Sequence, residues 1–179
     1  SYPFTFAKIR DDKSHFSAMI KTMDDTTNEL VVSDTKHILD YLDNNEDLNH
    51  NGYGAIGYCM SGQYIVSVTS TYPKKFAAAA SFYGVKILTD KNNSPHLQAN
   101  KIEADLYLAF AEKDTWVDSD ALKNIKNHFE KNTPNFRMEV YEGTEHGFAF
   151  PDRHTYNKNG AEKHWSRICN LFERSLKNK

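Results

Sequence analysis

Cysteine is scarce in this 179-residue chain, with Cys59 and Cys169 standing alone and far apart. Two such residues make no disulfide framework, and the expected compartment is a reducing, cytoplasmic one. No apolar run approaches the roughly 18 residues that a membrane span needs. The opening SYPFTFAKIRDDK lacks both the basic and the apolar region of a secretory signal. An excess of one charge is missing too. Lys and Arg number 22 against 24 Asp and Glu, a formal net charge of −2, which gives no electrostatic case for nucleic acid or an anionic membrane. There is no CxxC or HxxxH spacing to hold a metal, no internal repeat and no low-complexity tract. What is present is 39% hydrophobic residues, on the low side, with 11 Phe and 10 Tyr supplying much of the apolar volume. The length suits one domain with a real core.

Residues 1–25 read as an irregular segment with SHFSAMIKTM at most a short helix, and residues 26–176 read as the core. Thr26 and Glu29 have capping-box spacing, and Leu30, Val31, Ile38, Tyr41 and Leu42 follow at helical intervals to about Asp43. DNNEDLNHNG is a polar loop. A short buried strand is expected at about Gly54 to Tyr58, then a helix from Met60 that Pro73 stops. FAAAASFYG is an interior strand, and residues 85–103 read as a long polar surface excursion. Ala104 to Phe110 is a near-continuous apolar strand of the kind a doubly covered parallel sheet requires. Leu122, Ile125 and Phe129 mark a helix, and alternation from Phe136 to Tyr141 marks a fourth strand. The last helix, from about Gly160, is expected to bury Ala161, Trp165, Ile168, Phe172 and Leu176. Alternating strands and helices place the chain in the α/β class with a mainly parallel sheet.

In such sheets function gathers beyond the carboxyl ends of the strands. Three residues capable of chemistry fall there: Cys59 after the first strand, Asp114 after the third and His146 after the fourth. A sharp strand-to-helix turn needs small neighbours, and Gly57, Ser61 and Gly62 supply them. The helix opening at Met60 aims its free N–H groups and positive dipole end at the sulfur, which favours thiolate. The Met60 N–H is also placed to donate to an oxyanion. His146 would exchange a proton with Cys59, and Asp114 would orient His146. Each residue has a plainer role when taken alone: core thiol, turn former or ordinary loop residue. Their joint position and order carry the argument. Ser61 is a weaker rival nucleophile because its own flanks hold Cys59 and Gln63 rather than glycine. Cys169, beside the apolar stripe of the last helix, reads as structural, and KNNSPHLQANK as a solvated loop.

GYCMSG, AAAASFYG, AFAEKDTWV and YEGTEHGFAFPDR, with the spacing between them, resemble the dienelactone hydrolase family of the α/β-hydrolase superfamily, whose chain order is also nucleophile, acid, histidine. The resemblance implies a three-layer α/β-hydrolase-like sandwich. It also implies hydrolysis of an ester or lactone through a thioester acyl-enzyme, without metal or organic cofactor. Cys59 would be the nucleophile, Asp114 the acid and His146 the base, with Tyr83 and Trp116 as aromatic pocket residues. Three departures stand out. Ser61-Gly62 replaces Gly-Gly after the residue following cysteine, a change the turn should survive. Gly147 and Phe150 occupy the places of a serine and an arginine that bind the substrate carboxylate in dienelactone hydrolases proper, the nearest arginine being Arg153. Phe150 therefore joins the pocket as an apolar surface, which turns the expectation towards a neutral ester.

The third departure concerns length. Family members carry several strands before the helix placed at Thr26, and the resemblance implies that the missing part supplies a second oxyanion donor, a glutamate near the cysteine and one side of the pocket. An N-terminally truncated sheet would leave an apolar edge, expected to be covered by another copy of the chain in a homodimer or larger homo-oligomer. A well-folded monomer in sedimentation at micromolar concentration would contradict this. The leading expectation is a carboxylesterase of dienelactone hydrolase type acting on a small molecule. Its alternatives are dienelactone hydrolysis proper and a non-catalytic remnant serving as an assembly module.

Overall fold

The computed structural model describes residues 12–45 and 52–177. In chain order these form α1 (Lys13–Asp25), α2 (Asn28–Asp43), β1 (Tyr53–Tyr58), α3 (Ser61–Thr71) and β2 (Phe76–Phe82). A 3-10 helix (Pro95–Lys101), β3 (Asp105–Lys113), α4 (Ser119–Asn132), β4 (Phe136–Glu145) and α5 (Lys158–Leu176) follow. The strands make one parallel sheet in the order β1-β2-β3-β4. Side chains alternate between its faces, so successive alanines of β2 serve different layers. Ala79 joins Leu39, Ile65, Leu108, Ile125 and Phe129 beneath α2, α3 and α4. Ala78 and Ala80 join Tyr107, Tyr141, Ile168 and Leu171 beneath α5. The result is the α/β sandwich expected from the pattern, a parallel sheet with helices on both faces.

Several local expectations shift. Residues 13–25 are helical because the Asp12 carboxylate caps the Ser14 N–H at 2.8 Å. The cap of α2 is Thr27, whose hydroxyl accepts from the Leu30 N–H. Thr26 instead offers its carbonyl to the Tyr64 hydroxyl at 2.7 Å. The core-facing residues of α2 are Val31, Val32 and Leu39, while Leu30, Ile38 and Tyr41 are exposed. Part of the expected polar loop, residues 46–51, lies outside the described residues.

Residues 85–103 are no surface excursion. Val85, Ile87, Ala99 and Ile102 are buried in the core, and Ser94 organises the polar stretch by accepting the Thr89 N–H at 2.9 Å. On α5 the buried face runs through Ala161, His164, Ile168 and Leu171, and Trp165 is 52% exposed. His164 wins the inward position because its Nε2 accepts the Tyr58 hydroxyl at 2.7 Å and its ring lies edge-on to Phe82. Burial holds its pKa below the ordinary value, an effect partly offset by the Ala161 carbonyl, so the ring is a neutral acceptor. Cys169 is exposed on the same helix and takes no part in the core.

Backbone approaches backbone closely between α3 and the turn after β2. A Cβ on Gly62 would stand 2.3 Å from the Gly84 Cα. Two backbones cannot separate as a flexible side chain can, so Gly62→Ala should cost about 1–3 kcal/mol, as overpacking does. Thermal unfolding checks this, and an unchanged Tm would show that the contact is slack.

Candidate active site

Cys59, directly after β1, adopts a φ of +52°. A non-glycine residue there stores roughly 1–3 kcal/mol unless its surroundings over-determine it. Here its N–H donates to the Phe82 carbonyl at 3.1 Å, and its carbonyl accepts from Gly62 and Val85, each at 3.0 Å. Gly57 is obligatory on the strand side, since a Cβ would meet Ile65 Cγ1 at 2.5 Å and the Ser61 carbonyl oxygen at 2.7 Å. Ser61 strengthens the turn: its Oγ accepts the Tyr58 N–H and donates to the Tyr58 carbonyl, both at 2.7 Å. That double engagement leaves no base beside the Ser61 hydroxyl. Met60, with φ −56° and ψ −30°, opens α3 without a side-chain cap.

Asp114 and His146 come from the ends of β3 and β4. The Asp114 carboxylate accepts the Trp116 N–H at 2.9 Å, which fixes its direction. His146 Nδ1 lies 2.9 Å from one carboxylate oxygen and 3.1 Å from the other. An ionised carboxylate only accepts, so Nδ1 carries the proton. The Asp114 side chain is 1% exposed and that of His146 12%. Burial opposes charge on the ring, but the hydrogen-bonded Asp114 carboxylate, together with the nearby Cys59 sulfur, prevails and pushes the His146 pKa up to about 9. Nε2 is buried and makes no conventional hydrogen bond among the described residues.

The aromatic residues expected around the site divide by depth. Tyr83 is 1% exposed, with its ring 5.0 Å from that of His146. Trp116 is 48% exposed and 6.1 Å from His146. Phe150 stands edge-on to Tyr58 at 5.0 Å and is partly exposed. One feature escaped the sequence reading, and another stood in it only as the arginine nearest the altered motif. The Tyr58–His164 pair gives no pattern along the chain. Arg153 does leave a signal in Pro151-Asp152, a turn dipeptide, since the turn closes through the Arg153 N–H and the Phe150 carbonyl at 3.1 Å. It brings Arg153 over Gly147, with Cδ and Nη1 3.2 and 3.4 Å from where a Gly147 Cβ would lie. A positive charge therefore returns to the neighbourhood from which the sequence pattern removed it. Among the described residues no group of three or more His, Cys, Asp or Glu is placed to hold a metal. No helix among them is long and apolar enough to cross a membrane.

A parallel sheet with a left-handed turn after β1, and an acid and a histidine after later strands, defines an α/β-hydrolase-type protein. The model of the dienelactone hydrolase family matches residues 5–176, and the chain belongs to that family. A Synechocystis sp. protein named provisionally as a carboxymethylenebutenolidase is 29% identical over 160 residues, covering 88% of this chain and 64% of that protein. Protein usf of Aquifex pyrophilus is 23% identical over 97% of this chain and 73% of its own length. Among solved structures, a provisionally named dienelactone hydrolase from Klebsiella pneumoniae superposes with a TM-score of 0.74 at 19% identity, over 82% of this chain and 62% of that one. The chain thus spans somewhat under two thirds of the Synechocystis relative.

The raised pKa of His146 has a definite sign. A folded-state value near 9, above the ordinary 6.5, means that the stabilisation it brings is fully present below about pH 6.5 and is lost as pH rises through 9. NMR titration of His146 should give a midpoint near 9, and Asp114→Asn should lower it, because burial then acts with less opposition. A midpoint at or below 6.5 in the unmodified chain would contradict this electrostatic account.

Proposed function

We propose that this chain hydrolyses carboxylic esters through a thioester formed on Cys59, with His146 and Asp114 as its proton-transfer pair. One observation carries the reading. A cysteine held at φ +52° neighbours a histidine whose Nδ1 is 2.9 Å from a buried carboxylate, and Cys59 itself helps keep that histidine charged. The sulfur attacks the ester carbonyl carbon as thiolate, its proton resting on His146. The C–S bond forms and the carbonyl electron pair moves to oxygen, which the Met60 N–H meets. Collapse expels the alcohol, which takes the proton from His146. In the second half His146 removes a proton from water as that water attacks the thioester. The acid departs, and Cys59 and the protonated ring are restored. Asp114 holds the imidazolium in place throughout and does not itself exchange the proton.

A second reading, hydrolysis of a lactone that bears a carboxylate, is favoured by the position of Arg153 over Gly147. A Bradyrhizobium relative, 24% identical, is named provisionally for lactonase activity on 2-oxo-3-(5-oxofuran-2-ylidene)propanoate, an acidic lactone. Charge-assisted recognition by Arg153 would supply roughly 1.5–3 kcal/mol.

Short-chain p-nitrophenyl esters and a carboxylate-bearing lactone test both readings together. Turnover is expected from this chain and none above background from Cys59→Ala. Under the second reading Arg153→Ala raises KM for the acidic lactone by about tenfold or more and leaves neutral esters unaffected. Equal turnover in both the parent and Cys59→Ala would move the nucleophile elsewhere. A folded parent without turnover of any ester would replace the proposal with a non-catalytic assembly role.

A further inference from the structure

Two tyrosines reach the surroundings of Cys59, and only one of them has its hydroxyl occupied. Tyr58 donates to His164 Nε2 at 2.7 Å, since Nδ1 of that ring faces the Ala161 carbonyl and carries the ring proton. Tyr83 is 1% exposed, and its hydroxyl has no hydrogen-bond partner among the described residues. A buried hydroxyl left unpaired is costly, and such groups are rare in folded proteins. Tyr83 is also held in left-handed backbone, φ +41°, with its N–H tied to the Ala109 carbonyl at 2.7 Å. Its ring is wedged between His146 at 5.0 Å, Phe148 at 5.3 Å and Tyr58 at 5.9 Å. The fold therefore spends backbone strain and an unpaired donor to hold one phenol next to the candidate nucleophile and base. The phenol is within electrostatic reach of Cys59 and Arg153, and burial raises its pKa so that it stays a neutral donor. His146 Nε2, on the ring packed against Tyr83, is likewise buried with no hydrogen-bond partner among the described residues.

We infer that the Tyr83 hydroxyl donates a hydrogen bond to the acyl oxygen of the tetrahedral intermediate on Cys59, acting beside the Met60 N–H as the second oxyanion donor. The inference rests on Cys59 being the nucleophile. No proton moves in this step. The carbonyl electron pair passes to oxygen as the C–S bond forms, and the phenol O–H stays intact while it stabilises the new charge. The donor is unpaired at rest, so its bond gains strength only as the oxyanion appears, which is what makes a contact accelerate the reaction.

Tyr83→Phe tests the inference in the full chain, with p-nitrophenyl acetate as substrate and an alkyl trifluoromethyl ketone as a probe that forms a tetrahedral oxyanion on cysteine. The expected result is a fall in kcat/KM of about 10²–10³-fold, carried by kcat. The ketone should weaken by a matching factor, and Tm should equal or exceed that of the parent because no resting hydrogen bond is removed. Turnover and ketone binding within twofold of the parent would overturn the inference and leave Tyr83 a packing residue. A rise in KM alone would make it a ground-state contact and would also overturn it. A lowered Tm would show that the hydroxyl has a partner at rest, contrary to the argument. If instead Cys59→Ala keeps turnover or still forms the ketone adduct, the Cys59 reading fails first and this inference with it.

Discussion

Cys59 is an L-residue in left-handed backbone directly after β1, the strand at one edge of the sheet, and the surrounding fold is arranged to keep it there. The strand below requires glycine at position 57 and the helix above requires glycine at 62, because neighbouring atoms leave no room for a Cβ at either place. Hydrogen bonds from the end of β2 and the turn beyond it hold the Cys59 peptide on both sides. The alanines of β2 are buried against helices on both faces of the sheet, so this half-buried turn is anchored to a solid core. Strain of this kind persists only where the structure over-determines it. The arrangement holds a sulfur at the start of a helix, clear of its own strand.

The electrostatics follow from the same placement. Parallel strands end on one side of the sheet, so the chain segments after β1, β3 and β4 meet there without any long-range search. Asp114 arrives buried and already bonded to a backbone N–H, which leaves its second oxygen for His146. The imidazole pKa is raised despite burial because the Asp114 carboxylate and the Cys59 sulfur lie beside it. The tyrosine wedged against its ring is rigid for the same reason, being confined by His146, Phe148 and Tyr58. The candidate nucleophile, base and oxyanion donor are thus positioned by main chain and packing rather than by mobile surface side chains.

Much of this could be read from the chain alone, for physical reasons. The apolar run at β3 and the alanine-rich β2 have patterns that buried parallel strands satisfy. Cys59, Asp114 and His146 fall where those strands stop, so sheet topology did most of the work of bringing an acid and a histidine together. Readings that depended on which face of a helix turns inward fared less well. His164 looks polar in the sequence, yet it is fully buried because Tyr58, more than a hundred residues earlier, supplies its partner. Trp165 looked like the anchor and lies outside. Residues 85–103 looked like a solvated loop because their polarity is visible in the sequence, whereas the internal hydrogen bonds of Ser94 are not. Arg153 was visible as the arginine nearest the histidine motif, but its return over Gly147 depends on the turn after Phe150, which the pattern along the chain does not show.

The central claim is that Cys59 forms a covalent acyl intermediate. Quenching the chain during turnover of p-nitrophenyl acetate, followed by mass analysis of its peptides, addresses this directly. The account predicts one acetyl group on the peptide containing Cys59, appearing before steady turnover and absent from Cys59→Ala. Turnover with no acyl group on any residue, or with the acetyl on a different peptide, would contradict it.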